Sequence, residues 1–327
     1  MAPSVARTLC LASAVSLAWG ALRAHVGDPG DGFDLVLFDT TTSARCLDGS
    51  PAGYYRRAGR GSGASTFLIE LEGGGWCVSL DDCVSRSKTD LGSSAAWPKT
   101  GSPTMDGGSH GLFSNDCTVN PHWCNATMIH VNYCDGASFA GHVDSVVNAS
   151  ATNLYFRGSD VLNSTLMALV QTEGMESATS VVLKGCSAGG LAVILHLDFV
   201  AEFVRSVAPS AVVVGVPDAG YFLDHNDTAG HSSYTPLYKW VANTQRVTGG
   251  VDAGCVAAYS ATPDELWRCF MAQVRRINSV TSTHFQLQAP SLDCLLQHMY
   301  DSRPRSTPRA MSRLQPSSPK TSTTAGK

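Results

Sequence analysis

Lys184-Gly185-Cys186-Ser187-Ala188-Gly189-Gly190-Leu191-Ala192-Val193 is the stretch from which the architecture of this chain is read. It follows the β-branched pair Val181-Val182 and runs into an apolar segment with helical spacing. A strand, a sharp turn and a helix with Gly-x-Ser-x-Gly across the turn is the arrangement known as a nucleophile elbow. Bulky side chains at Gly185 or Gly189 would crowd so sharp a turn. Ser187, held there, projects its hydroxyl from the strand end. The new helix meanwhile offers backbone N–H groups to a developing anion.

Outward from the elbow, strand-like runs alternate with longer segments. Phe33 to Phe38, Ser65 to Leu71, Ala126 to Tyr133, Val181 to Lys184, Ala211 to Val216 and His284 to Ala289 read as strands. Ser159 to Gly174 and Leu191 to Val207 carry apolar residues at helical spacing. This alternation predicts an α/β fold resembling the α/β-hydrolases, with a mostly parallel sheet and helices on both faces. Ligands in such sheets sit at the C-terminal strand ends, where Gly73 to Gly75, Asp135, Ser187 and Asp218 fall. No internal repeat is present.

Length and composition agree with one large domain. The chain has 327 residues, 43% hydrophobic and 15% charged, with a formal net charge of −4. Residues 301–327 hold six basic residues and one acidic, so the remainder is more acidic still. No basic stripe suggests nucleic acid as a partner, and no apolar run after the N-terminus is long enough to span a membrane. Residues 1–20 read as a signal peptide. Arg7 supplies the basic start, Leu9 to Leu17 the apolar stretch, and Ala18-Trp19-Gly20 small residues at the cleavage site. Removing it leaves ten of eleven cysteines, an even count suited to an oxidising compartment. Sequons at Asn125, Asn148, Asn163 and Asn226 add to the expectation of a secreted glycoprotein, extracellular or in a cell wall.

Glu72-Gly73-Gly74-Gly75-Trp76-Cys77 follows a strand and lacks the Lys-Ser/Thr of a phosphate-binding loop. A plain turn is the bland reading. Paired with the serine elbow, the loop reads instead as one that lends backbone N–H groups to an oxyanion hole.

Five segments together carry a resemblance. They are Cys46 to Tyr55, Leu71 to Cys77, Tyr133 to Phe139, Gly185 through His196, and Asp218 to Asp224. In that order they resemble the plant pectin acetylesterase family, which also includes the Notum-type deacylases. The Gly-Gly-Gly-Trp-Cys and Cys-Ser-Ala-Gly-Gly forms sit closer to the plant branch. The resemblance implies a secreted serine carboxylesterase acting on O-acetylated wall or extracellular polysaccharide through an acyl-serine intermediate. It implies Ser187 as nucleophile and Gly74, Gly75 and Ala188 as oxyanion-hole donors. Asp293, in Gln288 to Gln297, matches the family's acid, although Leu292 and Leu295 stand where the family has Tyr and Trp. Asp218 is the rival on position, with bracing of its turn as the bland alternative. No metal or other cofactor is expected, since Cys186 and His196 lack zinc-site spacing and the cysteines are scattered. A monomer is expected.

The base is the difficulty. Esterases of this fold run Ser, acid, His, and His298 follows Asp293 by too few residues to return facing it. His130, His142 and His196 read as structural. Residues 301–327 read as a disordered basic Ser/Pro/Thr-rich tail, and residues 21–300 as an esterase domain incomplete at its C-terminus. The final strand, histidine loop and last helix are expected to be missing. A serine without its base is a poor nucleophile at neutral pH, so this chain is expected to be weakly active or inactive. The alternatives are a catalytically impaired secreted binding relative and a Notum-like fatty-acyl deacylase. The resemblance also pairs Cys46 with Cys134 and Cys77 with Cys83. Spacing makes Cys117–Cys124 and Cys255–Cys269 plausible local pairs, and Cys186 and Cys294 are left over.

Overall fold

A computed structural model describes residues 32–101, 111–232 and 234–274. Its centre is a seven-stranded mixed sheet. In chain order the strands are β1 (Phe33–Leu37), β2 (Gly53–Arg57), β3 (Thr66–Leu71), β4 (Thr100–Gly101) and β5 (Thr127–Val131). A small hairpin follows, β6 (Val147–Ala149) with β7 (Thr152–Leu154), and then two further sheet strands among the described residues, β8 (Ser180–Cys186) and β9 (Val212–Asp218). The spatial order is β4-β1-β2-β5-β3-β8-β9. Strands β5, β3, β8 and β9 run parallel to one another, while β2, β1 and β4 extend the sheet antiparallel. The runs expected as strands at 33–38, 65–71, 126–133, 181–184 and 211–216 are all strands here. His284 to Ala289 lies outside the described residues.

The parallel strands are apolar because both sheet faces are covered. Phe67, Ile69, Leu71, Val181 and Leu183 point to one face. There they meet Val161, Leu162, Leu166 and Leu169 of α2 (Gly158–Thr172), and Ala192, Val193, Val200 and Val204 of α3 (Ala188–Val207). A shorter helix, α1 (Leu80–Arg86), is capped by the Ser79 hydroxyl, which accepts the Asp82 N–H. On the other sheet face Leu68, Met128, Val182 and Tyr55 pack with Phe113 from the 3-10 turn Gly111–Phe113, and Leu112 and Trp123 lie against them.

That second face also buries charge. Glu70, His130 and Lys184 occupy one cross-strand row on β3, β5 and β8. The Glu70 carboxylate accepts from Lys184 Nζ and lies 2.9 Å from His130 Nδ1. Burial alone would raise the Glu70 pKa, but the charge of Lys184 and the hydrogen bond and charge of His130 outweigh it and hold it at about 2.

A separate apolar cluster caps the C-terminal strand ends. It joins Leu191, Ile194 and Leu195 of α3 to Tyr238, Val241 and Ala242 of α4 (Tyr234–Thr244), and to Trp267 and Phe270. The chain then runs through α5 (Ala253–Ala258). Disulfides Cys46–Cys134, Cys77–Cys83, Cys117–Cys124 and Cys255–Cys269 are all formed, as expected. Cys186, expected to be left over, is disulfide-bonded as well, and Cys294 lies outside the described residues.

Candidate functional site

Strands β3, β5, β8 and β9 end together, with Leu71 paired to Val131 and Gly185, and Cys186 paired to Asp218. Each ending turns into a loop singled out in the sequence. Ser187 leaves β8 with φ 57° and ψ −123° and is followed at once by α3. A non-glycine residue with this backbone is strained, a state that persists only where the surrounding structure over-determines it. Here its N–H donates to the carbonyl of Asp218 at 3.0 Å, and its carbonyl accepts the Leu191 N–H that opens the helix. The Ser187 side chain is therefore presented from a fixed support.

The elbow and the glycine loop are in backbone contact. A Cβ at Gly189 would lie 2.0 Å from the carbonyl oxygen of Leu71, and one at Gly73 would lie 2.2 Å from that of Cys186. No side chain fits at either place, which is the physical content of the glycines on both loops. The first N–H groups of α3 have no partner within the helix. A Cβ at Gly73 would lie 3.3 Å from the Gly189 amide nitrogen, so the positive end of α3 faces the start of the glycine loop.

Side chains hold the glycine loop from below. Arg86 Nη1 donates to the carbonyl of Gly74 at 2.8 Å, and the Tyr133 hydroxyl donates to that of Gly75 at 2.7 Å. The Glu72 carboxylate accepts the Tyr133 N–H at 2.8 Å. Cys77–Cys83 ties the far end of the loop to α1. Of these supports only the Cys77–Cys83 disulfide was picked out in the sequence. Arg86 and Tyr133 lie 12 and 58 residues from their acceptors, so no local pattern flagged them.

Asp135, four residues past the end of β5, is buried. One carboxyl oxygen accepts the N–H groups of Ala137 and Phe139, both at 3.1 Å. The other has no hydrogen-bond partner among the described residues. Burial raises its pKa to about 7, against the lowering pull of the Ala137 N–H and of Arg86.

The described histidines lie elsewhere in the network. His130 belongs to the charged row with Glu70, His142 lies 3.3 Å from Asp160 and 3.4 Å from Asp144, and His196 Nε2 sits 3.0 Å from the Ser138 carbonyl. None is hydrogen-bonded to the Ser187 hydroxyl among the described residues. Asp293 and His298 lie outside those residues. The structure sets the turn at Ser187 against the start of the glycine loop at Gly73, and its amide on the backbone of Asp218.

Beside the glycine loop stands an aromatic wall. Trp76 makes edge contacts with Phe222 at 4.8 Å and Tyr238 at 5.4 Å, and Tyr234 stacks on Tyr238 at 5.6 Å. Tyr221 and Leu223, on the loop after β9, expose about half their surface. Among the described residues no group of side chains has the makings of a metal site.

Comparison with known proteins places these loops in a family context. The pectinacetylesterase family model matches residues 30–309. Pectin acetylesterase 5 of Arabidopsis thaliana is 38% identical over 229 residues, covering 68% of this chain and 51% of the relative. The palmitoleoyl-protein carboxylesterase notum1a of Danio rerio is 32% identical over 247 residues, 73% of this chain and 46% of the relative. The chain thus spans about half the length of the curated relatives it matches. Among solved structures, the Wnt deacylase Notum from Drosophila superposes with a TM-score of 0.66 at 27% identity, over 78% of this chain and 70% of that one.

Proposed function

Since the chain belongs to the pectinacetylesterase family, we propose that it is a secreted serine carboxylesterase that removes O-acetyl groups from a cell-wall or extracellular polysaccharide. The observation that carries this reading is the strained Ser187 at the strand end, packed against the glycine loop. Ser187 Oγ attacks the ester carbonyl, and the carbonyl oxygen becomes an anion facing the amides of Gly74, Gly75 and Ala188. Collapse of this intermediate expels the sugar alcohol and leaves an acetyl-serine. Water then attacks the acyl carbon, releasing acetate and regenerating the serine. The resemblance assigns Asp293 the acid; the histidine that would take the Ser187 proton and return it to the leaving oxygen has no candidate among the described residues, and turnover by this chain is expected to be weak without it. The disulfides support a secreted, oxidising setting.

One observation favours a second reading. The half-buried rings of Trp76, Phe222 and Tyr234, backed by the buried Tyr238, offer apolar surface suited to a longer acyl chain, as in the Notum branch. A series of nitrophenyl esters from acetyl to palmitoyl, run beside Ser187→Ala, separates the two. Turnover that peaks at acetyl and vanishes in the variant supports the acetylesterase, and a peak at long chains supports the deacylase. Polysaccharide binding without turnover, unchanged in Ser187→Ala, would instead mark a binding relative and sink both catalytic readings.

A further inference from the structure

The hydroxyls of two fully buried residues, Tyr133 and Ser138, join the glycine loop to the elbow. The Tyr133 hydroxyl donates to the Gly75 carbonyl at 2.7 Å and accepts the Ser138 N–H at 2.9 Å. The Ser138 hydroxyl accepts the Trp76 indole N–H at 2.8 Å and donates to the carbonyl of Ala188, the first residue of α3, also at 2.8 Å. Ser138 itself has a φ of 52°, so the turn that carries it is held in an uncommon conformation.

We propose that Tyr133 and Ser138 are positioning residues that set the spacing and orientation of the glycine loop against the N-terminus of α3. The proposal rests on the esterase reading above and names what keeps its anion site in shape. In a planar trans peptide the C=O and the following N–H point in opposite directions. Tyr133 holds the Gly75 carbonyl and Arg86 holds that of Gly74, so the directions of the Trp76 and Gly75 amides are fixed. Three successive glycines cannot hold such an arrangement themselves, because their backbone is permissive. The Ser138 hydroxyl then ties the same loop, through the Trp76 indole, to the helix end that presents the Ala188 amide. Donors aimed in advance at a developing charge are worth far more than donors that must reorganise. A purely structural cluster would stabilise the fold and leave catalysis by each folded molecule untouched.

The test uses the full chain and the variants Tyr133→Phe, Ser138→Ala and their double. Ser187 is titrated with a fluorophosphonate, 4-nitrophenyl acetate turnover is expressed per titrated serine, and thermal melts are recorded alongside. The expected result is a fall in kcat per site of about 10- to 100-fold in each single variant, the scale on which misplacement by about 1 Å acts. KM should stay within about twofold, and the double should be little worse than the poorer single, because the pair acts as a unit. Unchanged kcat per titrated serine with a lowered Tm in both singles would overturn the proposal. If the wild-type chain neither labels nor turns over, the esterase reading fails, and amide hydrogen exchange decides the positioning role. Faster exchange at both 74–76 and 188–190 in either single variant supports the joint, and unchanged exchange at both overturns it.

Discussion

The amide of Ser187 donates to the carbonyl of Asp218 at 3.0 Å, so the strained elbow is braced by the end of the neighbouring strand. This bond is made by the Asp218 backbone. It explains how a serine with positive φ is held without any hydrogen bond from its own hydroxyl among the described residues. Two expectations follow from the pair, one for each residue.

The strain at Ser187 belongs to the backbone and is relieved by glycine. Ser187→Gly should raise stability by about 1 kcal/mol, and the melting temperature by about 2–4 °C, while abolishing any Ser187-dependent turnover. Ser187→Ala keeps the Cβ and should show no such gain. Thermal melts of the three proteins side by side make the comparison.

The bracing role of Asp218 does not need its charge. Asp218→Asn should leave kcat within about threefold, whereas Asp293→Asn, if Asp293 is the acid, should lower it by about 10⁴-fold. The reverse pattern in steady-state kinetics would transfer the acid's role to Asp218.

Gly189 is expected to be intolerant of any side chain. A methyl there meets the Leu71 carbonyl oxygen at 2.0 Å and that of Glu72 at 2.8 Å, both backbone atoms that cannot turn aside as a side chain would. Gly189→Ala should cost at least about 3 kcal/mol, the upper end of overpacking penalties. Denaturant unfolding, or a collapse in soluble yield, would report it.

The buried charged row should behave as a unit. Lys184→Met leaves the buried Glu70 carboxylate with His130 as its only charged partner in the row and should destabilise by about 3 kcal/mol, while adding Glu70→Leu should recover much of the loss. Because the Glu70 pKa is held at about 2 against an ordinary 4.5, its contribution is complete above pH 4.5 and is lost as pH falls toward 2. Glu70→Gln should flatten the stability profile in that window.

Asp135 has the opposite sign. Its pKa is raised by burial to about 7 from an ordinary 3.8, so the folded state prefers the protonated acid. Its environment costs no stability below about pH 3.8 and costs progressively more as pH rises toward 7. Asp135→Asn should remove that decline between pH 4 and 7, measured by urea unfolding at stepped pH.

Much of the architecture was legible locally. Alternating and β-branched runs located the parallel strands, helical spacing located α2 and α3, and Gly-x-Ser-x-Gly located the turn between β8 and α3. Strand β2 escaped because its final pair, Arg56-Arg57, reads as solvated. In the fold Arg57 is buried over the Phe33 ring and Arg56 pairs with Glu173 at 2.6 Å, partners that no local window contains. Helix α4 likewise draws its meaning from Trp76 and Phe270, far along the chain.

By itself the sequence determined the parallel strands, α2, α3 and the turn chemistry, because period, β-branching and glycine placement act over a few adjacent residues. It also brought forward Ser187, Gly74, Gly75 and Ala188 as a set. Tertiary structure alone decided what holds them. Trp76 meets Ser138 across 62 residues, and Ser138 meets Ala188 across 50. Such hydrogen bonds exist once β3, β5 and β8 align in register, since alignment is what brings their three C-terminal loops to one edge.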